Sequence, residues 1–536
     1  MSSFQFSHGG YPRSEGAKGM RALDVRGPFA YMFPNLANDS NSLLPVSNNT
    51  AAQLSALAQA MSEPSDTAGA NSNIPPVYTY WGQFIDHDVT VANQSALPGG
   101  GDILDDGFAP IAPDVIASSV VNGRRAIFDL DSVYGDGPGT DALGNPTEAQ
   151  ELGFYLEDGV RLRVGTVSSG PGEVPNAHLG LDRDLPRNGG GQRAEAGERF
   201  PLIGDTRNDE NTIVAQFHLG WIRFHNAVAD WVEANENKTG DELFQRARSI
   251  VRNTYQWLVL HDYLKAVTMY GTVDRVLYGG NRFYDPGSIP GLPMMPLEFA
   301  VAAYRFGHSM VRSEYDFNVN FGRENTLATF AQMFQFTGRG GMFGLPTLPH
   351  NWIADWERLT NHGSSDPNRF ARKIDTHLSF ELANMQNELP RDGEPSLNAM
   401  QSSIIVHLAQ RNLLRGYQFS IPTGQAIADA MGITPLTADE MQVGNSAAVN
   451  DALAAGGFLD KTPLWYYILK EGEVHANGNS LGQLGSEIIV ETIVGLMRTD
   501  PGNVVNSSWT PEQGVKFPEG TPVVTIRDVF RFAGVM

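Results

Sequence analysis

Four short runs of this 536-residue sequence carry side chains able to do chemistry. In TYWGQFIDHDVT, residues 79–90, helical spacing puts Gln83 and His87 on one face with Asp86 beside them and Asp88 turned away. Tyr80, Trp81, Phe84 and Ile85 make the surroundings apolar, so the amide, acid and imidazole are either hydrogen-bonded core groups or groups that handle protons. In GDTRNDEN, residues 204–211, Asp205, Arg207, Asp209 and Glu210 crowd the start of a strongly periodic helix. Acids there suit capping and the helix dipole, while Arg207 is also a permanently charged donor. In PLEFAVAAYRFGHSMVRSEYDF, residues 296–317, Leu297, Val301, Tyr304, His308 and Val311 form one stripe, interrupted only by the imidazole. That His is a core residue or a metal ligand, neutral imidazole being the usual proximal ligand of haem iron. In RRAIFDLDSVYGDG, residues 124–137, Asp129 and Asp131 alternate before a Gly-rich turn, which suits calcium or a solvated turn; the pattern is not an EF-hand.

The elements that must hold these groups are mostly helices. Pro75-Pro76 starts a helix over 77–92. Ile213, Phe217, Trp221, Phe224, Val228 and Trp231 recur at spacings of three and four and predict a helix over 212–234. Helices are also expected over 243–267, 296–313, 367–388, 424–431 and 481–498. Long alternating runs are rare, so the class is mainly α, with irregular loops over 95–118 and 166–200, both rich in Gly, Pro and Asp.

Composition removes several classes. There is no cysteine, which excludes disulfides, iron–sulfur clusters, zinc–thiolate sites and thiolate nucleophiles. A net charge of −22 disfavours nucleic acid and anionic lipid as partners. No run of about 18 apolar residues offers an integral membrane segment. The N-terminus lacks the order of a secretory signal, so a soluble protein is expected, cytoplasmic or exported by a non-classical route.

Taken together and in this order, the four runs resemble the animal haem peroxidases of the peroxidase–cyclooxygenase superfamily, such as the myeloperoxidase and lactoperoxidase catalytic domains. WGQFIDHD is similar to that family's distal-histidine motif, DLDSVYG to its calcium loop, GDTRNDE to its distal-arginine motif and YRFGHSMV to its proximal-histidine helix. Softer similarity runs through 258–267 and 409–422. The resemblance implies a mainly α fold with long irregular loops and haem b buried between central helices. It implies one catalytic domain over 1–536, with residues 1–20 as an extended N-terminal segment. His87 would be the distal base, Arg207 the distal arginine, Gln83 a halide-binding amide and His308 the proximal iron ligand. Asp86 and Glu210 would form ester bonds to the haem, and Arg305 and Arg411 would contact it. Asp88, Asp129 and Asp131, with the backbone of Arg125 and Ile127, would hold calcium. Four departures stand out. Asn211 replaces the methionine of a sulfonium link, and Arg125 and Asp131 replace hydroxyl residues of the calcium loop. The asparagine that holds the proximal His is also displaced: aligning Gln410-Arg411 with the family motif puts Leu408 there, with Asn412 as the substitute.

The implied reaction is reduction of hydrogen peroxide with oxidation of small donors, whether halides, thiocyanate or phenols. Two relatives of the scaffold compete: a fatty-acid dioxygenase, and a non-enzymatic adhesion protein. A dioxygenase places its radical tyrosine where Arg305 stands; Tyr304 is one residue away, a turn of about 100° on an α-helix, and is expected to miss the channel. The adhesion role would not require His87, Arg207 and His308 together. A haem-free calcium-binding protein is a third competitor, and it leaves the His/Arg set unexplained. Haem ligation by His308 predicts a strong Soret band that His308→Ala loses or greatly weakens; a variant with wild-type spectrum and haem content would remove the assignment.

Overall fold

The computed structural model describes residues 27–536 apart from 48, 64–67, 95–101, 106–107, 142–143, 170–179, 194, 288–291, 362 and 391–395. The expected 1–20 segment, and parts of both expected loops, lie outside the described residues. The main helices are α1 Thr50–Ala60, α2 Val77–Val89, α3 Thr212–Glu236, α4 Gly240–Leu258, α5 Leu408–Gln418, α6 Leu464–Ala476, α7 Gln483–Arg498 and α8 Ile526–Phe532.

The strongest apolar stripe becomes α3, with Ile213, Phe217, Trp221, Phe224 and Val228 all buried. Asn211 caps its first turn, accepting the Val214 N–H at 2.9 Å. α2 packs against it through Phe84 and Trp81, whose rings lie 5.2 Å and 6.2 Å from that of Phe217. α8 closes the far side. Phe530 stacks on Trp356 at 4.1 Å and meets Phe217 edge-on at 5.6 Å. Gly220 makes this approach possible, because a Cβ there would fall 2.6 Å from the Phe530 ring.

Strands are few and short. β1 Gly27–Ala30, β2 Ala92–Gln94, β3 Val120–Asn122 and β4 Met295–Pro296 form one sheet in the order β2-β3-β1-β4. β1 runs antiparallel to β3 and parallel to β4, with Phe29 opposite Met295. The sheet therefore ties the chain just after α2 to the segment that leads to His308.

Several helices differ from the sequence expectation. The 77–92 helix ends at Val89, where the chain turns into β2. The 243–267 helix is interrupted by a π turn over Val259–Tyr263. The 296–313 helix is not an α-helix: a π turn over Glu298–Ala302 is followed by a 3-10 run over Ala303–His308. Residues 367–388 form no α-helix: 3-10 turns over Pro367–Arg369, Phe380–Ala383 and Gln386–Glu388 flank an irregular stretch. Their N–H groups bond away from the segment, Ala371 to Ile74, Arg372 to Met310 and Lys373 to Ala70. Leu378–Ser379 then pairs with Ser62–Glu63. Long-range pairing overrides a helical pattern there. The helix over 424–431 stands as expected, and 481–498 starts at Gln483. Among the described residues no helix is long and apolar enough to cross a membrane.

Phe530 anchors α8 through two aromatic contacts, so Phe530→Ala should cost about 3–5 kcal/mol of stability. Urea denaturation measures this; a loss below about 1 kcal/mol would mean that α8 docking contributes little.

Candidate active site

The site begins with a short ionic turn. Asp205 caps the 3-10 turn Thr206–Asp209, accepting the Arg207 N–H at 2.9 Å. Arg207 Nε and Nη2 donate to the same carboxylate at 3.0 Å and 2.6 Å, and Arg124 pairs with it from the other side. Burial pushes Asp205 up, but Arg124 and Arg207 more than offset this and hold it well below the usual carboxylate range. Arg207 Nη2 also donates to the carbonyls of His87 and Thr90 at 2.9 Å and 2.8 Å, capping the end of α2. Its Nη1 is buried with no hydrogen-bond partner.

His87 projects from α2 onto this turn. Its Nδ1 lies 2.8 Å from Asn208 Oδ1, and its Nε2 is buried without a partner. Burial, then the Arg207 charge, lowers its pKa to about 3, so the ring is neutral. The Asn208 Nδ2 lies 2.9 Å from Nδ1 of His218, an equally buried imidazole on α3.

A cleft enclosing about 1160 Å³, counted out to its open mouth, lies beside these groups. Its polar wall is Gln83, Asp86, Glu210, Asn211, Arg305 and His308; Leu297, Val301, Phe330 and Phe334 are among its apolar lining. Such a mixture of an apolar cavity and a few convergent polar groups is typical of cofactor sites. Gln83 and Asp86 face the cleft, whereas His87 and Arg207 are set behind its lining; the single face expected for Gln83 and His87 is split. Gln83 Nε2 donates to Glu210 Oε2 at 2.9 Å, and Asn211 Nδ2 donates to Gln83 Oε1 at 3.0 Å. Burial, and the charge of Glu388, push Glu210 up to about 8, and burial also raises Asp86.

The proximal side is built from broken helix. The expected stripe of Leu297, Val301, Tyr304, His308 and Val311 does line the cleft, but so do Arg305, Phe306 and Gly307. The expectation that Tyr304 misses the channel is therefore corrected. The 3-10 run after a π turn does not follow the 100° rule, and Tyr304 sits on the cleft wall with its hydroxyl 3.1 Å from that of Tyr263. Asn412, on α5, places Nδ2 2.8 Å from His308 Nδ1 and accepts from Arg305 Nη1 at 2.9 Å through Oδ1. Leu408, one turn earlier, lies on the cleft wall instead. Burial, with Arg305 and Arg411 nearby, keeps His308 well below its usual pKa, so its imidazole is neutral. Arg411 is not brought into the cleft lining. It turns toward Glu388 at 3.4 Å and Met385 Sδ at 3.2 Å.

Below α2, Asp88 accepts from Ser132 Oγ at 3.0 Å, Asp131 pairs with Arg124 at 3.0 Å, and Asp129 pairs with Arg125. The second oxygens of all three acids are buried without partners. Burial and the neighbouring carboxylates push Asp88 up, and burial lifts Asp131 to about 6. The Ile127 carbonyl faces Asn503 Nδ2 at 3.4 Å. Among the described residues no three His, Cys, Asp or Glu side chains stand at metal-ligand spacing.

Sequence reasoning passed over Asn208 and the clamp of Asn211 on Gln83. A polar residue inside the ionic turn and an N-cap were the only signals. Because Asn412 is shared by His308 and Arg305, Asn412→Leu should weaken haem binding by about 10- to 100-fold. Titration of the apoprotein with haem, followed at the Soret band, checks this; unchanged affinity would mean that Asn412 does not support His308.

A family model described as animal haem peroxidase matches residues 126–344. Thyroid peroxidase of Canis lupus familiaris is 26% identical over 454 residues, 75% of this chain and 43% of that protein. Peroxidasin of Drosophila melanogaster is 24% identical over 457 residues, 78% of this chain and 28% of that protein. The chain thus spans less than half the length of these curated relatives. Among solved structures, peroxidase A from Dictyostelium discoideum shares the fold with a TM-score of 0.52 at 16% identity, over 90% of each chain. A fatty acid α-dioxygenase from Oryza sativa gives 0.51 at 13% identity, over 89% of this chain and 76% of that one. Motif order, a mainly α architecture and these matches agree: the chain is similar to the animal haem peroxidases, whose family model it matches over residues 126–344.

Proposed function

We propose that this chain is a haem peroxidase that reduces hydrogen peroxide and oxidises small anionic or aromatic donors. The observation that carries this reading is the pair of buried, unpartnered nitrogens, His87 Nε2 and Arg207 Nη1, held behind the lining of a cleft whose wall carries a neutral His308. Haem b, when bound, supplies the redox chemistry. His308 would hold its iron, and Asp86 and Glu210, both on the cleft wall, would form ester bonds to it. A Glu210 kept protonated by burial suits a carboxyl that must react rather than repel.

His87 does the proton work. Its Nε2 takes a proton from one peroxide oxygen and returns it to the other, general acid–base catalysis worth about 10²–10⁴-fold. Arg207 brings a fixed positive charge to the departing oxygen, at no cost in reorganisation because Asp205 and the α2 carbonyls already hold it. Gln83, clamped by Glu210 and Asn211, keeps one amide hydrogen for an anion or water in the cleft.

Calcium would bind the free oxygens of Asp88, Asp129 and Asp131 beneath α2, with backbone oxygens of the Arg125–Ile127 segment. The support for this reading is three buried carboxylate oxygens without donors, although the three side chains do not stand at metal-ligand spacing and Arg124 and Arg125 already neutralise two of the acids. Chelation should then lower haem retention and activity together; a fully active sample free of calcium by metal analysis would remove this site.

The second reading is oxygenation of a fatty acid, favoured by one observation: Tyr304 lies on a largely apolar cleft wall. One assay separates the two. Iodide, bromide or thiocyanate should be oxidised in a peroxide-dependent way, and Gln83→Ala should cut halide turnover about tenfold while sparing haem binding. Rapid oxygen uptake with a polyunsaturated fatty acid, abolished by Tyr304→Phe, together with negligible halide oxidation, would select the dioxygenase.

A further inference from the structure

The turn that carries Arg207 holds a second polar group whose position the scheme above leaves unused. Asn208 is fully buried between α2 and α3. Its Oδ1 lies 2.8 Å from His87 Nδ1 and its Nδ2 lies 2.9 Å from His218 Nδ1. The far nitrogens of both rings, His87 Nε2 and His218 Nε2, are buried and have no hydrogen-bond partner. We propose that Asn208 is a positioning residue whose single amide fixes the orientation and tautomer of His87, presenting its Nε2 lone pair to peroxide. This rests on the peroxidase reading of His87.

The argument is one of donors and acceptors. An amide oxygen only accepts, so His87 must carry its proton on Nδ1, which leaves Nε2 with a lone pair. The other tautomer would turn an N–H toward the substrate and could not take its proton. The amide nitrogen only donates, so His218 Nδ1 accepts and His218 carries its proton on Nε2. The two histidines lock each other. Rotating the amide by half a turn would place a donor against the His87 N–H and an acceptor against the His218 lone pair. It would therefore require both rings to exchange tautomers together, in a place closed to water. Asn208 itself has little freedom. Asp205 grips the turn from one side, and Asp209 is held from the other by Arg187 at 2.5 Å and by the Gly338 N–H at 2.8 Å. His218 thus acts as the far anchor of the base.

The test combines a tautomer readout on the chain without haem and a rate readout on the haem-loaded protein. Long-range proton–nitrogen correlation on ¹⁵N-histidine-labelled apoprotein should show His87 with an unprotonated Nε2 and His218 with an unprotonated Nδ1. Asn208→Leu, similar in shape, should leave His87 in mixed tautomers. It should slow the peroxide-induced Soret change about 100-fold, while haem affinity and the halide KM stay within about twofold. Asn208→Asp should restore the rate to within about tenfold of wild type, since its carboxylate still accepts from His87 Nδ1. Should Asn208→Leu not fold, His218→Phe carries the test, removing only the far anchor, with mixed His87 tautomers and a rate about tenfold down. Reversed tautomers in the wild type, or wild-type tautomers and rate in Asn208→Leu, would overturn the inference. A haem-loaded wild type that shows the expected tautomers but ignores peroxide would instead overturn the peroxidase reading alone.

Discussion

A buried carboxylate, Asp205, is the constraint on which the rest of the site depends. It is 1% exposed and lies between two guanidinium groups, those of Arg124 and Arg207. Removing one member of such a buried set leaves an uncompensated charge, at a cost of about 3–5 kcal/mol. Each arginine then reaches a different element. Arg124 continues to Asp131 and the Gly204 carbonyl, at 3.0 Å and 3.3 Å, tying in the acid loop beneath α2. Arg207 continues to the α2 carbonyls, at the end of the helix that carries His87. One ionic knot thereby fixes the turn bearing Arg207, Asn208 and Glu210 against α2. The mutual placement of base, cation and cleft wall follows from it.

The wall that carries His308 is fixed in another way. A regular α-helix over 296–313 would present every third or fourth side chain to one side. The chain instead switches from a π turn to a 3-10 run, and five consecutive residues, Tyr304 to His308, reach the cleft lining. Irregular backbone of this kind must find partners for its polar groups. Here the Trp465 indole donates to the Arg305 carbonyl at 3.0 Å, and Arg305 Nε returns to the Ala300 carbonyl at 3.1 Å. The same Arg305 meets Asn412, which meets His308, so the imidazole and the unwound backbone are held by one set of bonds. A second π turn, Val259–Tyr263, brings Tyr263 close to α2. Only a glycine at position 82 admits its hydroxyl, since a Cβ there would lie 2.6 Å away. Both departures from α-helix thus occur where side chains converge on the cleft.

The amino-acid sequence by itself determined the mainly α class, the long stripe of α3, the exclusion of cysteine chemistry, and the four motifs in family order. These are local properties: periodicity, composition and the identity of neighbours within a few residues. It also named the polar side chains that line the cleft, Gln83, Asp86, Glu210, Arg305 and His308. Tertiary structure alone decided which partner each group meets. That Asn412 and not Leu408 stands beside His308 depends on the angle at which α5 crosses the unwound segment, and a shift of one helical turn changes the contact. That Arg411 turns away toward Glu388, that Tyr304 reaches the cleft, and that residues 367–388 form no α-helix all follow from contacts between chain segments tens to hundreds of residues apart. Asn208 shows the limit most clearly. In sequence it is an unremarked residue between Arg207 and Asp209; its two histidines come from α2 and α3. Only the packing of those helices gives one amide two imidazoles to hold, because hydrogen-bond complementarity is a property of atoms brought within 3 Å and not of their order along the chain.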